Sequence, residues 1–201
     1  MPTLAKKIQG SPAVLRLAYR LMAPGQSGAI AAILQTEVTS LPARTLLEVG
    51  CGPGTSVVPG IHYHGIDTES AFLRDPALKG AKVAEADATR LPFRNDVFDL
   101  VYAVGVLHHL TESQVTQALR EFVRVLRPDG NIVVIDNFWP TVRWNLIAYA
   151  VRKLDRGKHV RTRSELSDLV VTGTDLHVRS NRYYKFGLYN LEICALRLQR
   201  R

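Results

Sequence analysis

Cysteine is scarce in this chain, and its scarcity argues against two kinds of small protein. Cys51 and Cys194 are the only cysteines among 201 residues. They have neither the density of a disulfide scaffold nor the spacing of a metal site. We therefore predict a reducing, cytoplasmic environment and expect no metal.

Long apolar runs are also lacking. Arg16 and Arg20 interrupt the apolar positions of residues 1–25, so no signal-peptide core is present, and no uninterrupted apolar run approaches the length of a membrane span. We expect neither a secreted nor an integral membrane protein. Internal repeats and low-complexity segments are absent, and 46% apolar with 22% charged residues is typical of one soluble globular domain.

The net charge of +8 is distributed unevenly. Residues 1–42 carry +3, residues 43–142 carry −3 and residues 143–201 carry +8. The basic C-terminal part indicates an anionic partner, such as RNA, lipid headgroups or an acidic small molecule. A solvated basic surface explains the charge equally well, because no arginine-rich run or aromatic nucleic-acid signature accompanies it.

Strands alternate with helices from about residue 43, which is typical of a parallel sheet with helices on both faces. Thr111 is the expected N-cap of a helix that ends near Leu126, and Pro128-Asp129-Gly130 is expected to separate that helix from the next strand. The predicted strands are 45–49, 62–67, 82–86, 98–104 and 131–136, and the later elements are helices 139–153 and 163–171 and a hairpin of 179–186 with 189–198.

Two helices are predicted ahead of this core, Pro12 to Met22 and about 27–39, separated by Pro24-Gly25. The first is apolar on most sides and has Arg16 and Arg20 one turn apart, so it is compatible with a membrane-surface helix. A docked lid or packing helix is the preferred interpretation.

Three alternate glycines follow the first strand, in Leu46-Leu47-Glu48-Val49-Gly50-Cys51-Gly52-Pro53-Gly54-Thr55. Glycine permits backbone conformations closed to other residues and lets a ligand approach the main chain. Asp67 ends the second strand, where a carboxylate accepts hydrogen bonds from ribose hydroxyls. The pattern predicts a nucleotide-like ligand, and the alternative is a tight turn followed by an unrelated surface acid. Thr55 stands where Gly-x-Gly-x-x-Gly requires its third glycine, which argues against a dinucleotide oxidoreductase.

Further motifs follow in order: Gly65-Ile66-Asp67, Glu85-Ala86-Asp87-Ala88-Thr89-Arg90-Leu91-Pro92-Phe93, Phe98-Asp99-Leu100-Val101, Leu107-His108-His109-Leu110 and Arg124-Val125-Leu126-Arg127-Pro128-Asp129-Gly130. Together with the glycine loop, they resemble the class I S-adenosylmethionine-dependent methyltransferases, particularly small methyltransferase-domain proteins related to ubiquinone- and menaquinone-type enzymes. The resemblance is strong over residues 43–136 and elsewhere extends only to the order of elements.

The resemblance implies an α/β, Rossmann-like, doubly wound sheet of seven strands, six parallel and the last antiparallel, with helices on both faces. It implies one domain over 1–201, comprising N-terminal helices or a lid (1–42), a cofactor-binding core (43–136) and a basic C-terminal acceptor-side part (137–201).

The same resemblance implies S-adenosyl-L-methionine as cofactor and S-adenosyl-L-homocysteine as product. Glu48 would organise the glycine loop, which would pass the methionine part. Asp67 would hold the ribose, Asp87 the adenine amino group and the Ala88 backbone the ring, while Val104 would lie near the sulfonium. The implied cofactor-binding residues are Glu48, Gly50, Cys51, Gly52, Pro53, Gly54, Asp67, Thr68, Asp87, Ala88 and Val104.

One departure concerns the connection after the glycine loop. Only twelve residues separate Gly54 from Asp67, and they include Pro59-Gly60. The first helix must therefore be short or partly replaced by a loop. A full helix brings its N-terminus to the ligand, so we expect a more open cofactor site or one completed by a partner chain.

Methyl transfer from a sulfonium is an in-line displacement, which needs alignment and exclusion of water more than a dedicated base. If the acceptor must lose a proton, His109 or His108 is the candidate base, and a structural role in packing or capping the turn is the alternative. Asp136 and Asn137 either line the acceptor pocket or cap a turn. Tyr183, Tyr184 and Trp139 either wall an aromatic or lipid acceptor or complete a core.

Three functions remain open at this point. The leading hypothesis is a methyltransferase for a small or lipid-like molecule, because few appended residues are available to grip a macromolecule. An RNA methyltransferase is the alternative suggested by the basic C-terminal part. A non-catalytic cofactor-binding subunit is the third, since the first helix is shortened and no acceptor motif is identifiable. The oligomeric state is left open.

Overall fold

A computed structural model describes residues 26–54, 62–142, 144–153, 157–186 and 191–200. The predicted helix from Pro12 to Met22 and the short connection at 55–61 lie outside the described residues.

One seven-stranded sheet organises the fold, with the strand order β3-β2-β1-β4-β5-β7-β6. Strands β1 to β5 run parallel, and β7 is antiparallel to both of its neighbours. This confirms the predicted sheet, with six parallel strands and the last antiparallel. The strands are β1 Thr45–Val49, β2 His62–Asp67, β3 Lys82–Glu85, β4 Phe98–Val104, β5 Leu126–Asn137, β6 Leu176–Phe186 and β7 Leu191–Arg200.

Helices cover both faces of the sheet, as predicted. On one face, Val115 and Phe122 pack into the same core cluster as Leu166. On the other face, Ile33 and Ala148 belong to a second cluster. The helices are α1 Gln26–Glu37, α2 Glu112–Val125, α3 Leu146–Lys153 and α4 Arg163–Gly173, and short 3-10 turns occur at Phe72–Arg74, Pro76–Leu78 and Leu107–His109.

Helix α2 begins directly after its N-cap residue, Thr111. The Thr111 hydroxyl accepts a 3.4 Å hydrogen bond from the Gln114 backbone N–H, and the Gln114 side-chain oxygen accepts one of 3.0 Å from the Thr111 backbone N–H. This capping box satisfies two donors at the helix start and confirms Thr111 as the N-cap.

Strand β5 begins five residues earlier than predicted. Phe98 pairs with Leu126, and the next matched pair is Leu100 with Asn131, so residues 127–130 form an irregularity inside the strand. The sequence Pro128-Asp129-Gly130 therefore shifts the register instead of separating helix from strand.

The predicted helix 139–153 is wrong over its first half, since only Leu146–Lys153 is helical. Pro140 disfavours helical backbone at the residue before it, and the Trp139 N–H donates instead to the carbonyl of Arg161 over 3.2 Å. The closing hairpin is confirmed, although β6 begins three residues earlier than predicted and β7 keeps its predicted length but lies two residues later.

Glu37 ties the end of α1 to the closing hairpin. Its fully buried carboxylate accepts hydrogen bonds from Tyr184 at 2.5 Å, Arg197 at 2.7 Å and Arg182 at 3.1 Å. Burial alone would raise the pKa of Glu37. The three donors together lower it by more than burial raises it, so the pKa lies below its usual value. None of the helices within the described ranges is both long and apolar enough to cross a membrane.

Candidate active site

The glycine loop is pinned to the end of β2 by backbone hydrogen bonds. The N–H groups of Gly50 and Cys51 both donate to the carbonyl of Ile66, at 2.8 and 2.9 Å. Gly50, Gly52 and Gly54 have φ values of +72°, +51° and +73°, in the left-handed region that glycine favours. The three alternate glycines are therefore required by the path of the loop.

Gly50 and Gly52 differ in what lies beside them. A Cβ atom at Gly50 would overlap the side chain of Val106, whereas one at Gly52 would meet no atom of the described residues within 4 Å. Gly50 thus serves close packing inside the protein. Gly52 has none of the described atoms beside it, which leaves room for a ligand among the residues that the structure describes.

Asp67 joins the second strand to the loop. Its Oδ2 accepts a 2.8 Å hydrogen bond from the Gly52 N–H, and its Oδ1 accepts one of 2.8 Å from the Glu69 N–H. A carboxylate has lone pairs for further donors after these two bonds. Burial raises the pKa of Asp67, and the backbone donors only partly oppose it. Thr68, which follows, is exposed.

Glu48 lies fully buried beneath the loop. The hydroxyls of Tyr63 and Tyr102 donate to its Oε2 at 2.6 and 3.0 Å. Burial and the Glu48 charge raise the pKa values of both tyrosines. Burial, followed by the charges of Glu48 and Asp67, raises the pKa of the Cys51 thiol to about 12.

The two tyrosines are not among the site residues predicted from the sequence. Glu48 stands opposite Gly65 on β2 and Tyr102 on β4, and a Cβ atom at Gly65 would come within 2.8 Å of the Tyr63 hydroxyl. The glycine therefore makes room for the tyrosine. A signal for this contact was present in the sequence: a buried glutamate needs hydrogen-bond donors, and the paired neighbouring strands are where such donors occur.

Asp87 and Ala88 follow β3 at the same edge of the sheet. The Ala86 N–H donates to the Asp67 carbonyl at 3.1 Å, which holds this segment beside the end of β2. Asp87 is exposed, and its Oδ1 accepts 2.7 Å hydrogen bonds from the Thr89 N–H and hydroxyl. Ala88 is buried.

The end of β4 approaches the glycine loop from the other side. Val104 is half-buried, and Gly105 follows it with φ of +65° while its N–H donates to the Ile135 carbonyl at 2.8 Å. The next residue, Val106, packs against Gly50. The predicted residues of β1, β2 and β4 therefore meet at one edge.

His108 lies against Asp136 at the end of β5. The His108 Nδ1 is 2.5 Å from the Asp136 Oδ1, and the His108 backbone N–H donates to the Asp136 Oδ2 at 3.1 Å. The two side chains are 5% and 3% exposed. Asp136 also accepts from the Asn137 N–H at 2.7 Å, so its carboxylate holds a turn together.

A later segment covers the His108 ring. A Cβ atom at Gly157 would overlap that ring, and the His159 N–H donates to the His108 carbonyl at 2.9 Å. The buried Arg161 guanidinium donates to the carbonyls of Leu107 and Leu110 at 2.8 and 2.6 Å. His109 is exposed, and its ring centroid is 4.2 Å from that of His108.

The aromatic candidates for an acceptor wall lie apart. Tyr184 binds Glu37 beside α1, and Trp139 stacks on Tyr149 with centroids 5.7 Å apart. Tyr183 is 41% exposed on β6. The described residues include no group of three histidine, cysteine, aspartate or glutamate side chains that can hold a metal ion.

Comparison with known proteins relates the residues at this edge of the sheet to methyltransferases. A family model described as a methyltransferase domain matches residues 47–134. The chain is similar to a tRNA (carboxymethyluridine(34)-5-O)-methyltransferase of Arabidopsis thaliana, 35% identical over 99 residues that make up 47% of this chain and 24% of that protein. It is also similar to a demethylmenaquinone methyltransferase of Mycolicibacterium paratuberculosis, 34% identical over 104 residues, 50% of this chain and 44% of that protein.

The matched region is less than half of either relative. Among solved structures, a methyltransferase of Thermotoga maritima described as a possible histamine N-methyltransferase has the same fold, with a TM-score of 0.73 over 97% of this chain and 99% of that one at 16% identity. Residues 47–134 match a methyltransferase domain, and these relatives together with the shared fold support a place among the class I S-adenosylmethionine-dependent methyltransferases.

Proposed function

We propose that this chain transfers a methyl group from S-adenosylmethionine to a small-molecule or lipid-like acceptor. The observation that carries the proposal is the hydrogen bond from the Gly52 N–H to Asp67. It joins the two motifs at the carboxyl ends of neighbouring parallel strands, where ligands bind in sheets of this kind.

The described residues suit the cofactor. A ligand beside Gly52 would displace no atom of the described residues, and Asp67 keeps lone pairs for ribose hydroxyls. Residues 50–54 would hold the methionine part, Asp87 and the Ala88 backbone the adenine, and Val104 would border the reacting group.

The cofactor supplies an electrophilic methyl group on a sulfonium sulfur. The chain's own contribution is orientation and exclusion of water, through a loop fixed by hydrogen bonds to Ile66 and Asp67. Where the acceptor must lose a proton, the exposed His109 takes it. His108, buried against Asp136, positions the turn that carries His109.

The contacts made by the basic residues of the C-terminal part favour a small acceptor over RNA. Much of the positive charge of the C-terminal part serves internal contacts. Arg152 donates to the carbonyls of Phe138 and Glu192, Arg161 to those of Leu107 and Leu110, Arg182 and Arg197 to Glu37, and Arg200 to Asp96. Guanidinium groups held in this way have fewer donors left for phosphates, which RNA binding requires.

RNA remains the second candidate, because one relative is by its name a tRNA methyltransferase. The two acceptors are separated by incubating the full chain with methyl-tritiated S-adenosylmethionine and either total tRNA or organic-soluble and small-molecule extracts. We expect label in the extracts and none in tRNA. Label in tRNA, or cofactor binding without label in either acceptor pool, would contradict the proposal.

A further inference from the structure

An apolar surface lies on the segment that leads from β5 into α3. Val142, Trp144, Leu146 and Ile147 are 48%, 90%, 73% and 55% exposed. We call these four side chains the 142–147 patch. Single exposed apolar residues are ordinary, but four within six positions mark an interaction surface.

The fold itself turns these side chains outward. On the opposite side of α3, Ala148 is fully buried, and the buried Arg152 guanidinium donates to the carbonyls of Phe138 and Glu192 at 3.2 and 2.9 Å. The Tyr149 hydroxyl donates to the Pro140 carbonyl at 3.1 Å. Since these contacts fix the rotation of α3, Leu146 and Ile147 face away from the sheet.

The patch lies on the cofactor side of the molecule. Strands β1, β2, β4 and β5 are parallel, so their carboxyl ends share one edge of the sheet. The patch follows the carboxyl end of β5, and the glycine loop follows that of β1. Whatever the patch contacts is therefore brought to the edge where the cofactor is expected.

Positive charge accompanies the patch. No aspartate or glutamate occurs between Asp136 and Asp155, and the interval contains Arg143 and Lys153 besides the buried Arg152. Lys153 is exposed at the end of α3.

A further cation approaches from β6. Lys185 is half-exposed with its Nζ 3.8 Å from Glu192 Oε1, and that oxygen also accepts a 3.1 Å hydrogen bond from the Thr141 N–H, immediately before the patch. The exposed Lys153 and the half-exposed Lys185 thus lie beside the apolar side chains, and the nearby acid, Glu192, is buried.

We propose that the 142–147 patch docks onto the surface of an anionic phospholipid bilayer. Tryptophan prefers the boundary between headgroups and acyl chains, and leucine and isoleucine gain by burial below it. Lysine ammonium groups pair with anionic headgroups. RNA fits the patch less well, because bases stack on aromatic rings and gain little from aliphatic side chains. The proposal goes beyond methyl transfer and does not rest on it.

Tryptophan fluorescence of the full chain tests the docking. The chain has two tryptophans, so Trp139→Phe leaves Trp144 as the only reporter. We expect its emission to shift to the blue with vesicles of phosphatidylcholine and phosphatidylglycerol, and to be quenched by brominated acyl chains. Vesicles of phosphatidylcholine alone should have a weaker effect, and added salt should weaken binding.

Matched variants distinguish binding through the 142–147 patch from nonspecific adsorption of the protein to vesicles. Trp144→Ser with Leu146→Ser should lower vesicle partitioning about tenfold or more, since each lost apolar group removes buried area. Val171→Ser removes an exposed valine on α4 and should leave partitioning unchanged. Circular dichroism checks that each variant is folded, and Lys153→Glu with Lys185→Gln should weaken binding to the mixed vesicles while the apolar side chains of the patch are kept.

Three results would overturn the proposal. The first is vesicle binding that survives the double serine variant. The second is a dimer of the wild type, seen by sedimentation velocity, that the double variant dissociates. The third is a combination of two results: the wild type binds RNA and the double variant does not, and the Trp144 emission does not change when vesicles are added.

Discussion

The Gly52 backbone N–H donates a 2.8 Å hydrogen bond to Oδ2 of Asp67, fifteen residues later in the chain. Gly52 belongs to the loop after β1, and Asp67 ends β2, so this bond joins the ends of two neighbouring parallel strands. It makes the shape of the loop depend on the carboxylate that is expected to hold the ribose.

Asp67→Asn should therefore affect both stability and cofactor binding. An amide has one oxygen in place of two, so either the Gly52 or the Glu69 N–H loses its acceptor, which costs about 1–3 kcal/mol of unfolding free energy. Urea unfolding measures this cost. Asp168→Asn, at an exposed aspartate on α4, is the control.

The same variant should change the pH dependence of binding. Because burial raises the pKa of Asp67, protonation of its carboxylate begins at a higher pH than for an ordinary aspartate. If ribose hydroxyls donate to the carboxylate, wild-type affinity for S-adenosylhomocysteine falls as the pH is lowered through that pKa. Asp67→Asn should lack this fall, and an equal fall in the variant would rule out Asp67 as its source.

Much of this site follows from sequence alone, for a physical reason. Glycines that need a left-handed backbone and an acid at the end of the next strand are local features, and parallel pairing brings strand ends together automatically. The order of elements predicts that pairing. Gly50, Gly52, Gly54 and Asp67 accordingly lie together in the structure.

The contacts that the sequence did not predict depend on register or on distant segments. Glu48 meets Tyr102 only because β1 and β4 pair in one register. His108 meets Asp136 across 28 residues. The early start of β5 was missed because Pro128 and Gly130 usually end elements, whereas here pairing with β4 resumes beyond an irregularity. The roles of His108 and His109 stay predictions.

Gly157→Ala should disturb the seat of His108. The added Cβ atom would overlap the His108 ring, and overpacking of this kind costs about 1–3 kcal/mol. A double-mutant cycle with His108→Ala tests the cause, since removing the ring removes the overlap. The double variant should be more stable than the sum of the single effects predicts, by about 1 kcal/mol or more. Strict additivity would place the ring elsewhere.

Glu37→Gln should destabilise the fold in a pH-dependent way. Its folded pKa lies below the usual value of 4.5, so the stabilisation by its carboxylate is fully present above that pH and is lost as the pH falls through the folded pKa. The glutamine variant should lose about 2–3 kcal/mol at neutral pH, because charged hydrogen bonds to Arg197 and Arg182 are lost. Urea titrations at several pH values measure both effects. Glu85→Gln, at an exposed glutamate, should leave the pH profile unchanged.

Cys51 should be unreactive in the folded protein. Burial raises the pKa of its thiol to about 12, so near pH 8 its thiolate fraction is about a thousandfold below that of an ordinary cysteine. Cys194→Ser leaves Cys51 as the only thiol. A disulfide reagent should label this variant slowly when folded and rapidly in urea, and rapid labelling of the folded variant would refute the buried position.

Calorimetric titration with S-adenosylhomocysteine, comparing Gly52→Ala with Gly80→Ala, tests the proposed cofactor site most directly. Both glycines have a positive φ, +51° and +85°, and an added Cβ atom at either meets no described atom within 4 Å, so both variants carry a similar backbone strain of about 1–2 kcal/mol. Only Gly52 lies on the glycine loop. We predict that Gly52→Ala weakens binding at least about tenfold while Gly80→Ala binds like the wild type. Equal affinity in all three proteins would contradict the placement of the cofactor.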